Sequence, residues 1–216
     1  MLQARFKFGF ITLMALLSCA PASAATTTQT IAFIRHGEKP EGGLGQLNCQ
    51  GLNRALALPS AITALLGKPD ALFASNPSER KKDSGVKYDY IRPLATIEPT
   101  AIVLGLPVNT QFGFSDTDSL KKALEKADLA SAVVLVAWEH HEIETVARDL
   151  MKSYGGDADT IPQWKGTDFD SVFVLKIQRG ADKPHISFEL GHENLNGQPQ
   201  SCPNSKLFAA TELPES

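Results

Sequence analysis

The sequence predicts an α/β fold: a three-layer α/β/α sandwich with a mostly parallel central sheet and antiparallel strands near the C-terminus. Short apolar, β-branched runs alternate with helix-like stretches along most of the chain, an order typical of parallel sheets covered by helices. The last two apolar runs are separated only by the turn-forming segment QRGADKP. This spacing predicts an antiparallel hairpin at the end of the fold.

The first half of the chain is predicted to supply two strands and two helices. The run TIAFI predicts a buried strand, and the Ala- and Leu-rich stretch ending at Gly67 predicts a helix. The polar segment SNPSERKKDSGVKYDY predicts a solvated surface excursion. Pro99 is expected to kink or break the second helix. The predicted elements are a strand at 30–34, a helix at 52–66, a strand at 71–74, the excursion at 75–90 and a helix at 93–104.

The second half is predicted to supply a central strand followed by a helix. The run AVVLVA is almost continuously apolar, which is typical of a strand buried on both faces. Asp116 or Thr117 can cap the helix before it. The predicted elements are a strand at 108–112, a helix from 117 to about 127, a strand at 132–137, a helix at 140–154, a loop at 157–168, strands at 172–177 and 185–190, and an irregular tail from 191.

The N-terminus has the features of a secretory signal peptide. Arg5 and Lys7 precede a short apolar core at 8–17, and Ala22-Ser23-Ala24 is a small-x-small cleavage site. We therefore expect a signal peptide at 1–24, a single domain at 25–216 and a periplasmic or secreted protein with no stable membrane span after cleavage. A retained anchor and lipoprotein processing at Cys19 are the alternatives, although Leu17 is bulky for a lipobox.

Charge and cysteine content restrict the possible partners and the compartment. The chain has 21 Lys and Arg residues against 24 Asp and Glu residues, a formal net charge of −3, which argues against a nucleic-acid partner. Beyond the leader only Cys49 and Cys202 remain. In an oxidising compartment this pair is a disulfide candidate, for which the chain-entropy model allows roughly 4–5 kcal/mol of stabilisation. Two unpaired thiols are the alternative.

Two polar clusters follow strands whose carboxyl ends should meet at one edge of the sheet. Arg35-His36-Gly37 follows the first strand. Arginine supplies a permanent cation that fits phosphate oxygens, a neutral histidine supplies a nucleophile, and glycine lets a ligand approach the backbone closely. Arg92, just before a helix, can supply a second cation. An ordinary exit from strand to loop is the alternative for this tripeptide.

The second cluster is Glu139-His140-His141-Glu142. It allows a metal site, a catalytic site or a helix start that happens to carry histidines. Neighbouring residues on a helix point about 100° apart and cannot readily chelate one ion, and the HExxH spacing of helical zinc sites is absent. The sequence therefore predicts no metal and no cofactor.

Four segments together resemble the histidine phosphatase superfamily, the phosphoglycerate-mutase-like proteins. The segments are IAFIRHGEKP, LNCQGLNRALAL, YDYIRPLATIEPTA and VVLVAWEHHEI, and their order and spacing agree with the family over about residues 30–180. The resemblance implies that His36 is the nucleophile that becomes phosphorylated. It implies that Arg35, Arg92 and His140 bind the phosphoryl group, with Arg80 as the rival second arginine. The pattern is metal-free and suits phosphoryl transfer, which depends on positioning and charge compensation.

This sequence departs from the family pattern at one position and leaves one role open. The family usually has glycine after its second histidine, where this chain has His141. His140 is favoured as the working residue because it keeps the family register. The general acid is expected to be Asp116 or, second, Glu142. Glu38 and Asp118 are further candidates, and each of these carboxylates could instead be solvated or cap a helix.

These expectations combine into one function and one alternative from another class. We expect an exported phosphatase that hydrolyses a small phosphorylated substrate through a phosphohistidine on His36. The alternative is a catalytically weak or inactive phosphate-binding or sensor protein of the same fold, because the general acid is unassigned and His141 replaces glycine.

Overall fold

The computed structural model describes residues 26–180 and 182–203. Residues 1–24, with Cys19, lie outside the described residues. The strands are β1 (Thr27–Arg35), β2 (Ala71–Ala74), β3 (Arg80–Asp83), β4 (Val86–Asp89), β5 (Val108–Asn109), β6 (Val133–Trp138), β7 (Ser171–Arg179) and β8 (His185–His192). The helices are α1 (Cys49–Leu66), α2 (Arg92–Leu104), α3 (Thr117–Leu124) and α4 (His140–Ser153), and two 3₁₀ turns lie at Ala127–Leu129 and Ala158–Thr160.

Six strands form the central sheet, in the order β5-β2-β6-β1-β7-β8. β5, β2, β6 and β1 are parallel to one another, whereas β7 is antiparallel to both of its neighbours, β1 and β8. β3 and β4 form a separate two-stranded hairpin. This arrangement confirms the predicted mostly parallel sheet with antiparallel strands at the C-terminal end.

The sheet is covered on both faces because its central strands are apolar on both faces. In β1, Ile31 and Phe33 belong to a core cluster with side chains of α3 and α4. Ala32 and Ile34 point to the opposite face and belong to a cluster with side chains of α1 and α2. Since alternate residues of a strand face opposite sides, this pattern gives the predicted three layers.

Element boundaries differ from the prediction at a few points. α1 begins at Cys49 because the Asn48 side chain accepts a hydrogen bond from the Gly51 backbone N–H, at 2.9 Å. α2 runs through Pro99 without a break, so the proline costs the helix a backbone donor and does not end it. β5 is two residues long, and α3 ends at Leu124 rather than near residue 127.

The segment 75–90 lies mostly at the surface, as predicted, but it also contributes buried residues. It contains the β3–β4 hairpin, and Asp83 and Tyr90 are 5% and 0% exposed. The polar composition did not indicate the burial of Asp83, which forms one half of an ion pair with Arg92. A buried charge is tolerated when it is paired and hydrogen-bonded.

The C-terminal tail is attached to the start of α1. Cys49 and Cys202 form a disulfide, which confirms the predicted pairing. The Asn53 side-chain amide donates hydrogen bonds to the carbonyls of Pro199 and Ser201, at 2.8 and 2.9 Å. Over the ranges that the structure describes, no helix combines the length and the apolar character needed to cross a membrane.

Candidate active site

The candidate site lies where β1 and β6 end side by side. Arg35 is paired in register with Trp138, and the backbone N–H of His36 donates to the Trp138 carbonyl at 3.1 Å. The parallel ladder therefore continues one residue beyond β1 and sets His36 beside the start of α4. His140 is the first residue of that helix. The two clusters that the sequence singled out are neighbours at one edge of the sheet.

His36 is buried, at 3% exposure, and one tautomer is favoured by its contacts. Its Nδ1 lies 2.7 Å from the carbonyl oxygen of Gly37. A carbonyl can only accept, so Nδ1 carries the proton and Nε2 carries the lone pair in the neutral ring. Burial and the positive charges of Arg92 and Arg35 hold the pKa of His36 well below its ordinary value. The ring is therefore a neutral imidazole at physiological pH.

Arg35 is held by the loop before β7. Its Nη1 donates to the carbonyls of Gly166 and Asp168, at 2.7 and 2.9 Å, and its guanidinium lies 3.9 Å from the centre of the Phe169 ring. Burial lowers the pKa of Arg35, and the negative charge of Glu139 opposes that shift. An arginine stays protonated under these conditions, so the loop fixes a cation next to His36.

Arg92 is 1% exposed and is oriented by the β3–β4 hairpin. Its Nη1 donates to Oδ2 of Asp83 at 2.6 Å and to the Gly43 carbonyl at 3.1 Å, and its Nη2 lies 3.3 Å from Oδ1 of Asp83. Burial alone would raise the pKa of Asp83, but hydrogen bonds from Arg92 and from the Gly45 N–H outweigh that effect and lower the pKa below its ordinary value. The carboxylate therefore stays ionised. The rival Arg80 lies exposed on β3, where it pairs with Asp89.

Gly37 is required by packing as well as by any ligand. A Cβ at position 37 would come within 3.0 Å of the Gly51 backbone, and a Cβ at position 51 would collide with the Glu38 backbone. The Gly37 N–H donates to Oγ1 of Thr96 at 2.9 Å, and that hydroxyl donates to the Arg92 carbonyl at 2.8 Å. The loop after His36 is thus held between α1 and α2. The hydrogen bond from Gly37 is made to α2, the helix that also carries Arg92.

Glu139 and His140 form the opposite side of the site. Oε2 of Glu139 caps α4 by accepting from the N–H groups of His141 and Glu142, at 2.8 and 3.2 Å. Oε1 of Glu139 lies 3.7 Å from Nζ of Lys81 and 2.8 Å from Nδ1 of His140. Burial raises the pKa of Glu139, but contact with His140 and the charge of Lys81 bring it well below its ordinary range.

Aromatic residues enclose His36, and the sequence analysis did not identify them. Tyr90 packs edge-on against the His36 ring at 5.8 Å between centroids, and Phe169 lies at 6.2 Å. Lys81, on the hairpin, extends over the rings of Tyr90 and Phe114. Burial raises the pKa of Tyr90, so its phenol stays protonated. Tyr90, Phe114 and Phe169 come from three separate connecting segments, so only the folded chain shows that they lie together.

Three buried polar atoms around His36 have no hydrogen-bond partner among the described residues. They are Nε of Arg35, Nε of Arg92 and the Tyr90 hydroxyl. Unpaired buried polar groups are costly. Two guanidinium N–H groups and a hydroxyl that lack partners are therefore chemically suited to an anion with several oxygens.

The candidate general acids differ clearly in their surroundings. Asp116 is exposed and caps α3 by accepting from the Ser119 N–H at 3.3 Å, which is the capping role that the sequence left open. Asp118 is also exposed. Glu38 is bound by Arg54, whose Nε and Nη2 donate to it at 2.8–3.2 Å. Glu142 is half-buried in the first turn of α4, where burial and the charge of Glu139 raise its pKa.

Arg54 belongs to a second ionic cluster that supports the site from behind. It is fully buried and pairs with Glu38 at 2.8 Å, with Glu193 at 2.6 Å and with Asp170 at 3.6 Å. The cluster ties the residue after Gly37 to α1, to the start of β7 and to the tail. Its carboxylates are thereby occupied in holding the fold.

No family model matches the chain, and no curated protein matches it in sequence. Solved structures do resemble it. A protein from Nakamurella multipartitia assigned as the phosphohistidine phosphatase SixA has a TM-score of 0.52 at 14% identity, over 79% of this chain and 98% of that one. The mycobacterial glucosyl-3-phosphoglycerate phosphatase in complex with inorganic phosphate has a TM-score of 0.51 at 13% identity, over 74% and 95%.

A third structure, mycobacterial hydrolase 2, has a TM-score of 0.51 at 15% identity and covers 87% of this chain and 99% of that one. At identities this low, the similarity shows the fold alone. The activity has to be argued from the residues of the site. The chain therefore has the fold of these phosphatases, which is the fold implied by its resemblance to the histidine phosphatase superfamily.

Proposed function

We propose that the chain is a phosphatase that hydrolyses phosphomonoesters through a phosphohistidine on His36. The observation that carries the proposal is the tautomer of His36. Its Nδ1 proton is bound by the Gly37 carbonyl, and its Nε2 lone pair is left in a ring that burial and two guanidiniums keep neutral. A neutral imidazole with a free lone pair is the form that can attack phosphorus.

The surrounding cations and donors suit the phosphoryl group of the substrate. Arg35, Arg92 and His140 are the proposed phosphate ligands, and Nε of each arginine and the Tyr90 hydroxyl are buried donors with no partner within the described residues. Donors fixed in advance around a developing charge stabilise the transition state without reorganisation. One of the similar structures is a complex with inorganic phosphate, which is consistent with a phosphate pocket in this fold.

The reaction is proposed to occur in two displacements. Nε2 of His36 attacks phosphorus in line, a nitrogen–phosphorus bond forms, and the ester phosphorus–oxygen bond breaks. The leaving alkoxide takes up a proton. Water then attacks the phosphohistidine, the nitrogen–phosphorus bond breaks, and inorganic phosphate leaves with the neutral ring restored.

Glu142 is the proposed proton donor to the leaving group. Burial and the neighbouring negative charge of Glu139 raise its pKa, and a raised pKa favours the protonated carboxyl that a general acid needs. Asp116 was ranked first from the sequence, but its carboxylate is engaged at the start of α3.

Export to the periplasm or the medium is part of the proposal. The Cys49–Cys202 disulfide favours an oxidising compartment, as does the predicted signal peptide at 1–24. N-terminal sequencing of the protein recovered from outside the cytoplasm should find cleavage after Ala24. An intact, reduced protein in the cytoplasm would count against export.

The test is a phosphate-release screen over sugar phosphates, nucleotides, phytate and phosphopeptides. Wild-type protein is expected to release phosphate from at least one class, and His36→Ala to be inactive. Rapid quenching should trap a phosphoryl group that is lost in acid, and peptide mapping should assign it to His36. Turnover that survives in His36→Ala would contradict the proposal.

A phosphate-binding or sensor role is the second candidate. It is favoured because Glu139, the carboxylate in contact with His140, is ionised and has no proton to donate. It is also favoured by His141 in place of the family glycine. Under this alternative, wild type and His36→Ala would be equally inactive on the whole panel, and both would bind phosphate or vanadate. The same screen, combined with calorimetry of vanadate binding, separates the two candidates.

A further inference from the structure

Glu139, His140 and His141 bring three possible metal ligands together. One ligand atom from each of them lies within 4.8 Å of the other two, and the rings of His140 and His141 are only 4.0 Å apart. The rotation of about 100° between neighbouring residues of a helix argued against such a close approach of these ligand atoms. Glu139 has extended backbone angles, φ −83° and ψ 134°, and therefore does not follow the helical rotation. His140 and His141 are both helical, and their side chains turn toward each other.

The donor set has the composition of a zinc site. Two imidazole nitrogens and one carboxylate oxygen are ligands typical of Zn²⁺ sites that keep a fourth position open. Nδ1 of His140 is buried and lies 2.8 Å from Oε1 of Glu139, close enough for both atoms to bind one ion. His141, whose side chain is 67% exposed, gives solvent access to the site, and Glu144 lies 3.9 Å from its Nδ1.

We propose that Glu139, His140 and His141 bind a divalent transition-metal ion, with Zn²⁺ as the preferred ion, and that the ion inhibits the phosphatase. Oε1 of Glu139 is the available carboxylate oxygen, because Oε2 caps α4. Binding would displace Nζ of Lys81, which lies 3.7 Å from Oε1. Lys81 stands on the exposed hairpin and can withdraw.

Inhibition follows from the double use of His140. Zn²⁺ on Nδ1 leaves the Nε2–H of the same ring able to donate, but the ion draws the ring and Oε1 of Glu139 into its own coordination geometry. The imidazole is then turned away from the orientation in which it would bind the phosphoryl group. Metal binding itself needs only the three ligands, whereas the inhibition rests on the proposed function. His141 takes no part in that function, so it separates the two effects.

The test measures metal binding and turnover on the same proteins. Isothermal titration calorimetry with zinc chloride, in a buffer without phosphate, should give one ion per wild-type chain. Phosphate release should fall with the same midpoint and recover on addition of EDTA. His141→Ala should keep its basal turnover, bind zinc at least about tenfold more weakly and resist inhibition to the same degree.

Two further variants sharpen the test. Lys81→Met removes the competing cation and should bind zinc several-fold more tightly. His185→Ala removes an exposed histidine of β8 and should match wild type. Equal zinc affinity in His141→Ala and wild type, or weaker binding in Lys81→Met, would overturn the site. Undiminished turnover at saturating zinc would overturn the inhibition. If the protein has no phosphatase activity at all, calorimetry still decides the metal site.

Discussion

The carboxylate of Asp83 holds the guanidinium of Arg92 through two contacts, the shorter of 2.6 Å. Asp83 belongs to a hairpin inserted between β2 and α2, and Arg92 is the first residue of α2. The ion pair therefore joins the hairpin to the side of the site where we propose that phosphate binds. It also determines which edge of the Arg92 guanidinium stays available to bind a substrate.

Replacing Asp83 with Asn should weaken both stability and phosphate binding. The variant leaves a buried guanidinium without its counter-ion, for which we expect a loss of about 3 kcal/mol in the free energy of unfolding. The dissociation constant for vanadate should rise at least about tenfold. Urea unfolding and calorimetry measure the two effects. Asp89→Asn, which breaks only the exposed pair with Arg80, is the matched control and should change neither.

The two adjacent histidines should respond very differently to substitution. His140→Ala removes a proposed phosphate ligand and should lower kcat/KM by about 100-fold or more, the size of losing one donor to the transition state. His141→Ala removes a side chain that points to solvent and should change kcat/KM less than about threefold. Steady-state kinetics on one substrate compares them. The opposite result would mean that His141 is the functional residue.

The titration of His36 should reflect its burial and its two cationic neighbours. Since burial, Arg92 and Arg35 lower its pKa, the ring should stay neutral through pH 6.5, where an ordinary histidine is half protonated. Removing the positive charge in Arg92→Met makes the imidazolium less unfavourable and should raise the pKa. NMR titration of the His36 ring checks both directions. A wild-type midpoint near 6.5 would contradict the assigned environment.

Glu142→Gln should distinguish substrates by their leaving groups. Alkyl phosphates need a proton on the departing oxygen, so their kcat should fall by about 100-fold, within the usual range for a general acid. Nitrophenyl phosphate, whose leaving group is a stable anion, should lose far less. Asp116→Asn serves as the comparison and should affect both substrates equally and mildly. Equal losses on both substrates for Glu142→Gln would remove it as the donor.

The disulfide should contribute substantially to stability. Its cysteines are 153 residues apart, for which the chain-entropy model gives about 5 kcal/mol. The Cys49→Ser, Cys202→Ser double variant should unfold at correspondingly lower urea. A reducing agent should bring wild type to the same midpoint and leave the variant unchanged. If the reductant has no effect on wild type, the two thiols are not paired in solution.

The sequence predicted the layers of the fold and the positions of Arg35, His36, Arg92 and His140 at one sheet edge. Those features depend on local apolar periodicity and on strand order, which a single sequence records. The burial of Asp83 was missed because it depends on an ion pair with Arg92, and composition alone does not reveal such a pair. Tyr90 and Lys81 were missed because their neighbours in the site come from distant parts of the chain.

The close approach of the His140 and His141 rings is a feature that the sequence does not record. Both residues belong to α4, and their rings lie 4.0 Å apart because of the side-chain conformations they adopt. Residue spacing carries no information about them.

The position of β1 has a consequence for the order in which the protein becomes functional during synthesis. β1 carries His36 at its end, but its two neighbours in the sheet are β6, which begins at Val133, and β7, which begins at Ser171. A nascent chain that extends only to the end of α4 already contains both histidines, yet β1 still has an open edge and Arg35 lacks the carbonyls of Gly166 and Asp168. The catalytic apparatus should therefore mature only when nearly the whole polypeptide has left the ribosome, because long-range strand pairing completes it last.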